Sequence, residues 1–380
     1  MKNIIYQPLA KFITALEAGG RPRGGGTTSG DIVSLGAEHL NDAGGFDFEN
    51  LKYIPQDYFE GMNKGIIQKD DILIVKDGAT TGKVAIVREG FPYKIAAVNE
   101  HLFILRIKKD KLEPNFLFYF LFSGIGQSLI MRGFHGSAQG GITKSFIDNI
   151  RIPVLDLSVQ RKIASILEKA ESTKQKRQEA IRLTNEFLKS AFIEMFGDPI
   201  KNESHWEIPF LGDLVEFLDH QRIPVTKKDR KSGPFPYYGA SGVVDWVEGY
   251  IFDEPLLLLA EDGENLRSRV KPVAFCIDGK TWVNNHAHVL RCTRVNRYFL
   301  EMLLNMIDYS SYFAGATRPK ITKTTAQNIK IILPPKEEQQ KFADLVQKIE
   351  ALKTKQRQSE QELNNLFNSL MQKAFRGELG

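Results

Sequence analysis

Only two cysteines, Cys276 and Cys292, occur in 380 residues. They lack metal-ligand spacing and provide no disulfide framework, which suits a reducing compartment. No apolar run reaches the roughly 18 residues that a membrane-spanning helix needs. The opening Met1-Lys2-Asn3-Ile4-Ile5-Tyr6 leads into mixed polar sequence. It has neither the unbroken apolar stretch nor the small-residue cleavage site of a secretory signal, so a cytoplasmic location without membrane contact is expected. Charge of one sign is scarce too. With 51 Lys and Arg against 46 Asp and Glu, the formal charge is +5. That permits phosphate contact without announcing a nucleic-acid binder.

Catalytic signatures are also missing. Gly78-Ala79-Thr80-Thr81-Gly82-Lys83 is one residue short of a phosphate loop, Val84 stands where Ser or Thr is required, and a strand follows where a helix should. His286-Ala287-His288 places two imidazoles on one strand face, but the corresponding residues of a second copy are His101 and Phe103, so no metal pair is expected. There is no Asp/Asn-Pro-Pro-Tyr/Phe methyltransferase motif, no glycine-rich dinucleotide fingerprint, no nucleophile elbow and no carboxylate–lysine nuclease cluster. These gaps point to a binding protein with no catalytic residue and no metal.

What the chain does contain is a long internal repeat. Residues 134–196 slide without a gap by 179 positions onto residues 313–375, with 18 of 63 positions identical. The identities include Gly136/Gly315, Ile142-Thr143-Lys144/Ile321-Thr322-Lys323, Asn149-Ile150/Asn328-Ile329, Gln160/Gln339 and Lys162/Lys341. Upstream the offset is 185, bringing Ile72-Leu73-Ile74-Val75-Lys76-Asp77-Gly78 onto Leu257-Leu258-Leu259-Ala260-Glu261-Asp262-Gly263, and Val98-Asn99-Glu100-His101 onto Val283-Asn284-Asn285-His286. Each half therefore runs in the same order: variable globular part, glycine-bearing loop, long helix.

From about Ser158 to Phe196, apolar or small residues recur at three- and four-residue steps: Ile163, Ile166, Ala170, Thr173, Ala180, Thr184, Phe187, Ala191 and Met195. The second copy offers Phe342, Leu345, Ile349, Leu352, Leu363, Leu366, Leu370 and Ala374. This is a heptad-like seam that turns polar at Arg177 and Gln356. Each helix spans about 40 residues, or about 60 Å. Two such stripes in one chain can cover each other; packing of each helix on its own domain is the competing reading. The globular parts read as mixed sheet and helix. Strands are expected at 71–75, 84–87 and 98–107, then at 255–260, 273–276 and 286–291, with tight turns at the Asp-Gly pairs. Short aromatic helices are expected at 115–122 and 296–306. Gly197 and Pro199 end the first long helix. The fold class is thus α+β: two mixed globular domains, two long antiparallel coiled-coil helices and a pseudo-two-fold internal repeat. Domain boundaries are set at 1–152, 153–198, 199–332 and 333–380.

This order of motifs resembles the specificity subunit of Type I restriction–modification systems over essentially the whole chain. The carriers are residues 76–83, Tyr237-Tyr238-Gly239-Ala240-Ser241-Gly242, Asn285-His286-Ala287-His288-Val289-Leu290, the two Ile-Thr-Lys loops, the helix openings Gln160-Arg161-Lys162-Ile163 and Gln339-Gln340-Lys341-Phe342, and the closings Phe196-Gly197-Asp198-Pro199 and Ala374-Phe375-Arg376-Gly377-Glu378-Leu379. Leu155-Asp156 departs from the pattern where Pro334-Pro335 stands in the second copy.

The resemblance implies two target-recognition domains, each reading half of a split, asymmetric DNA site, with the helices setting the unread spacer. It implies modification (methyltransferase) subunits, usually two, docked on the helices, and restriction subunits in some systems. Those partners would carry S-adenosylmethionine, ATP and magnesium; none is expected in this chain. DNA contacts are expected from loops bearing polar and basic side chains. The first domain offers Arg21, Arg23, Thr80, Thr81, Lys83, His135, Gln139 and Lys144. The second offers Gln221, Arg222, Lys227, Lys228, Tyr238, Ser241, Arg267, Arg269, Arg318, Lys320 and Lys323. The repeated pair Lys144 and Lys323 fits bracing of the domain–helix junction equally well. A coiled-coil protein–protein adaptor without direct DNA readout is the reading from a different class that the modest charge keeps open.

Overall fold

The computed structural model describes residues 5–136, 140–313, 319–376 and 378. Gln139 and Arg318 lie outside the described residues. The chain forms two compact units, Met1–Arg177 with Ser359–Gly380, and Gln178–Gln358.

The first unit is built on a four-stranded antiparallel sheet in the order Ile13–Ala18, Leu102–Ile107, Ile72–Val75, Val84–Ile86. The second repeats that order with Val215–Phe217, Ala287–Cys292, Leu256–Ala260, Ala274–Ile277. Each unit adds a second sheet, three-stranded in the first and four-stranded in the second, containing one parallel pair: Ile32–Leu35 beside Ala96–Val98, and Ser232–Gly239 beside Lys280–Val283. The central strands read as unbroken apolar runs because both faces are covered. Ile72 and Ile74 enter one core while Leu73 and Val75 enter another. Leu257 and Leu259 are separated from Leu256 and Leu258 in the same way. A strand with one wet face would have alternated.

Two expectations change. The strand expected over 98–107 is two strands in different sheets, Ala96–Val98 and Leu102–Ile107. The break falls where the Asn99 carboxamide oxygen accepts the His101 backbone N–H at 3.0 Å, a side chain competing with the ladder. The Asp-Gly pairs are not tight hairpin turns either. They open longer connections, and the second contains the short helix Asn265–Ser268. Gly78 and Gly263 nevertheless need to be glycine, with φ of +93° and +115°.

The long helices are Leu157–Phe196 and Lys336–Phe375. Each gives one half to each unit. In the first unit Ile163, Ala164 and Leu167 share a core with Phe367, Met371, Ala374 and Phe375. In the second unit Leu188, Phe192 and Phe196 share a core with Phe342 and Val346. The early part of one helix meets the late part of the other in both places, so the pairing is antiparallel. Each helix also packs on the globular part: Phe375 lies 5.5 Å from Phe116, and Phe192 lies 5.4 Å from Phe299, between ring centroids. Both readings of the seam therefore hold together. Burying one such side chain is worth about 1.5–3 kcal/mol. The seam's polar middle is also used, since the Gln356 amide donates to the Thr184 hydroxyl at 3.3 Å.

One buried glutamine per unit ties globular part to helix. Gln160 accepts the Glu113 backbone N–H at 2.9 Å and donates to the Leu155 carbonyl at 2.8 Å. Gln339 accepts the Asn296 N–H at 2.8 Å and donates to the Pro334 carbonyl at 2.6 Å. Glu113 and Asn296 are the N-caps of the aromatic helices Pro114–Phe122 and Arg297–Met306, so the same bond pins the same element twice.

Candidate nucleic-acid interface

The repeated motifs, scattered along the sequence, converge on one junction per unit. In the first, the Lys76 N–H donates to the His101 carbonyl at 2.8 Å and the Ile142 N–H to the Lys76 carbonyl at 2.7 Å. Asp77 bridges to Gly141, which faces His135 across a two-residue ladder. A Cβ on Gly141 would lie 2.7 Å from the Lys76 carbonyl oxygen, so the close approach requires glycine. In the second unit, the Glu261 N–H donates to the His286 carbonyl at 2.9 Å and the Ile321 N–H to the Glu261 carbonyl at 2.8 Å, with Asp262 bridging to Lys320.

Each junction carries an aspartate–histidine pair. His101 Nδ1 lies 2.5 Å from Asp77 Oδ1, and His286 Nδ1 lies 3.0 Å from both Asp262 carboxylate oxygens. Neither pair was anticipated. The signal available was the equal separation of 24 residues between Asp and His in both halves.

A second, unrepeated network lies beneath the junction of the second unit. His288, 1% exposed, is bonded through Nδ1 to Asp219 at 2.7 Å and through Nε2 to the Ile321 carbonyl at 2.9 Å. Each ring nitrogen thus faces an oxygen atom. Burial pushes the Asp219 carboxyl up, but the bond to and charge of His288, the Val289 N–H and nearby Arg222 outweigh it and hold it below the usual carboxylate range. Asp219, Glu261 and His288 place ligand atoms within 4.8 Å of one another. Cations of the chain already serve this cluster, with Arg222 at 2.8 Å and Lys320 at 3.1 Å from Glu261.

The expected contact residues fall into two groups. Arg23, Thr80, His135, Lys144, Gln221, Lys227, Lys228 and Lys323 are exposed. Arg21 is exposed and bonded to Glu100 at 2.6 Å, and Arg267 is exposed with its guanidinium 5.8 Å from the Phe313 ring. Lys320 is about half exposed beside Glu261. Thr81 and Ser241 are half-buried, as is Tyr238, whose hydroxyl burial pushes up. Three residues expected to face DNA are instead held within their unit. Lys83 bonds the Leu40 carbonyl at 3.2 Å and Asp42 at 2.6 Å. Arg222 bonds Glu261 and, at 2.7 Å, the Ala287 carbonyl. Arg269 bonds the Ile307 carbonyl and stacks over Tyr309 at 4.8 Å. Local acceptors engage these cations, which loop position in the sequence could not reveal. Lys144 and Lys323 are exposed, Lys323 with its ammonium 5.8 Å from the Phe217 ring, while Gln160 and Gln339 make hydrogen bonds between globular part and helix. The thiols are unsuited to nucleophilic work, since burial pushes Cys276 well up and Cys292 up to about 12.

Twin sheets, twin junctions and a shared helix pair define a duplicated recognition protein. The family of the Type I restriction modification DNA specificity domain matches residues 27–183 and 203–365, and the chain belongs to that family. A type I restriction enzyme specificity subunit of Haemophilus influenzae is 34% identical over 143 residues, 37% of either chain. One of Methanocaldococcus jannaschii is 25% identical over 88% of this chain and 84% of that one. The fold is that of the crystallised S subunit of the Type I restriction–modification system from M. genitalium, with a TM-score of 0.63 at 16% identity, covering 99% of this chain and 97% of that one. No described helix is long and apolar enough to cross a membrane.

Proposed function

We propose that the chain is the non-catalytic, sequence-reading subunit of a Type I restriction–modification complex, and that each unit reads one half of a bipartite, asymmetric duplex site. The observation carrying this reading is the duplication itself: one junction, on one sheet order, pinned by one glutamine bond, occurring twice on an antiparallel helix pair. One short half-site is a weak address, since a good bidentate base contact discriminates by about 1–3 kcal/mol. Linking two readers makes the second engagement intramolecular and raises its effective concentration. Helices of about 60 Å are long enough to span half-sites one turn apart, about 34–36 Å.

In this reading the helices set the unread spacer and dock the methyltransferase subunits, two of them as is usual in the family, with restriction subunits where the system has them. S-adenosylmethionine, ATP and magnesium belong to those partners, base flipping to the methyltransferases, and the complex works in the cytoplasm. Exchanging residues 1–152 for those of a relative, in the assembled complex, changes one half of the genomic methylation motif. A change in both halves, or in neither, contradicts the reading.

A further inference from the structure

The aspartate–histidine pair recurs in both units, so on the reading above it can serve a feature that two different half-sites share. That shared feature is the phosphate backbone, since phosphate contacts position a protein without carrying sequence. We propose that His101 and His286, each fixed by its aspartate, are backbone-phosphate contacts, one per half-site; this rests on the DNA-reading function proposed above.

Three observations support it. First, both rings are solvent-accessible, with His101 41% and His286 42% exposed, while their partners Asp77 and Asp262 are 30% and 15% exposed. Exposed ion pairs contribute little to stability, so folding alone does not account for building the pair twice. Second, the rings are oriented. Asn99 and Asn284 accept the His backbone N–H at 3.0 and 2.8 Å, and the aspartate takes Nδ1. A ring protonated on both nitrogens then offers Nε2–H as its remaining donor. Third, each dyad adjoins the segment that leads into an exposed lysine, Lys144 or Lys323, through the Asp77–Gly141 and Asp262–Lys320 bridges.

The two copies are not equal. Glu100 lies 3.6 Å from His101 Nε2 and is itself bonded to Arg21 at 2.6 Å, while the corresponding residue of the second unit is Asn285. Lys76 lies 3.4 Å from Asp77 in the first unit where Glu261 stands in the second, so the surrounding charges offset and both copies are expected to contribute.

The test uses the chain assembled with its modification subunits and a mixed-sequence duplex, with affinity measured between about 50 and 200 mM salt. His286→Gln and His101→Gln each lower the slope of log affinity against log salt, by about one at most. His286→Arg restores the slope, and the methylated motif stays the same in every variant. An unchanged slope in His286→Gln, with wild-type assembly and melting temperature, overturns the proposal and leaves the DNA-reading function standing. An altered base within one half-site overturns it in favour of base readout. Failure of the unsubstituted complex to bind duplex overturns both.

Discussion

Where the first unit stacks Phe103 on Phe146 with centroids 6.1 Å apart, the second buries His288 between Asp219 and the Ile321 carbonyl. Both contacts secure the segment around the Ile-Thr-Lys loop against the main sheet. One does it by apolar stacking, the other by a charge network that includes Arg222, Glu261 and Lys320. The junction above them is the same in both units. The repeat therefore preserves the junction's backbone geometry and its aspartate–histidine pair, and lets the support beneath change from dry to ionic.

That contrast can be broken experimentally. The aromatic cluster Phe192, Phe196, Phe299 and Phe342 is fully buried in the second unit, and Phe116, Phe120 and Phe375 do the same work in the first. Phe342→Ala and Phe375→Ala each cost about 3–5 kcal/mol in denaturant unfolding. A markedly smaller loss in either would show that its helix half is not part of the core.

His288→Phe, which imports the first unit's residue, strands Asp219 and costs about 3–5 kcal/mol. A double-mutant cycle with Asp219→Asn recovers part of that loss; strict additivity would show that the pair is not coupled. Gln160→Ala and Gln339→Ala each cost about 1 kcal/mol, because a half-buried backbone N–H loses its partner. Clearly unequal losses would end the equivalence of the two pins.

The smallest effect is on acid stability, and its sign differs between Asp219 and Asp71. The Asp219 carboxyl is lowered in the folded chain, so its contribution is present above about pH 4 and is lost as pH falls through the folded value. Asp71 of the first unit is raised, chiefly by burial, against the bonds from Arg106 and Gln68. The folded chain then binds that proton more tightly than the unfolded one, and acidification through the same region favours folding at this group. Hydrogen exchange on acidification is expected to rise earlier in residues 287–292 than in 102–107. Equal responses would remove the ionic–dry distinction.

Much of this architecture is legible in the sequence, for identifiable reasons. The helices show because their seam has a period that solvent-facing residues do not share. Ile72–Val75 and Leu256–Ala260 show because strands covered on both faces are continuously apolar. The break at Asn99–His101 does not show, because a side-chain oxygen bonding the backbone two residues on leaves no trace in hydropathy. The dyads join residues that flank different strands, and the glutamine pins join residues 47 and 43 positions apart. Only their recurrence at matched offsets hints at them. Arg222, Lys83 and Arg269 mislead because a basic residue in a loop looks the same whether or not a carboxylate or carbonyl waits nearby.

The account treats the two units as copies of one reader, differing in the bases they read. A chain carrying residues 1–152 again in place of 199–332, assembled with its modification subunits, tests this most directly through the methylation motif it writes. The account predicts a symmetric bipartite site, with one wild-type half present twice in inverted orientation. An assembled complex that still methylates an asymmetric site would contradict it.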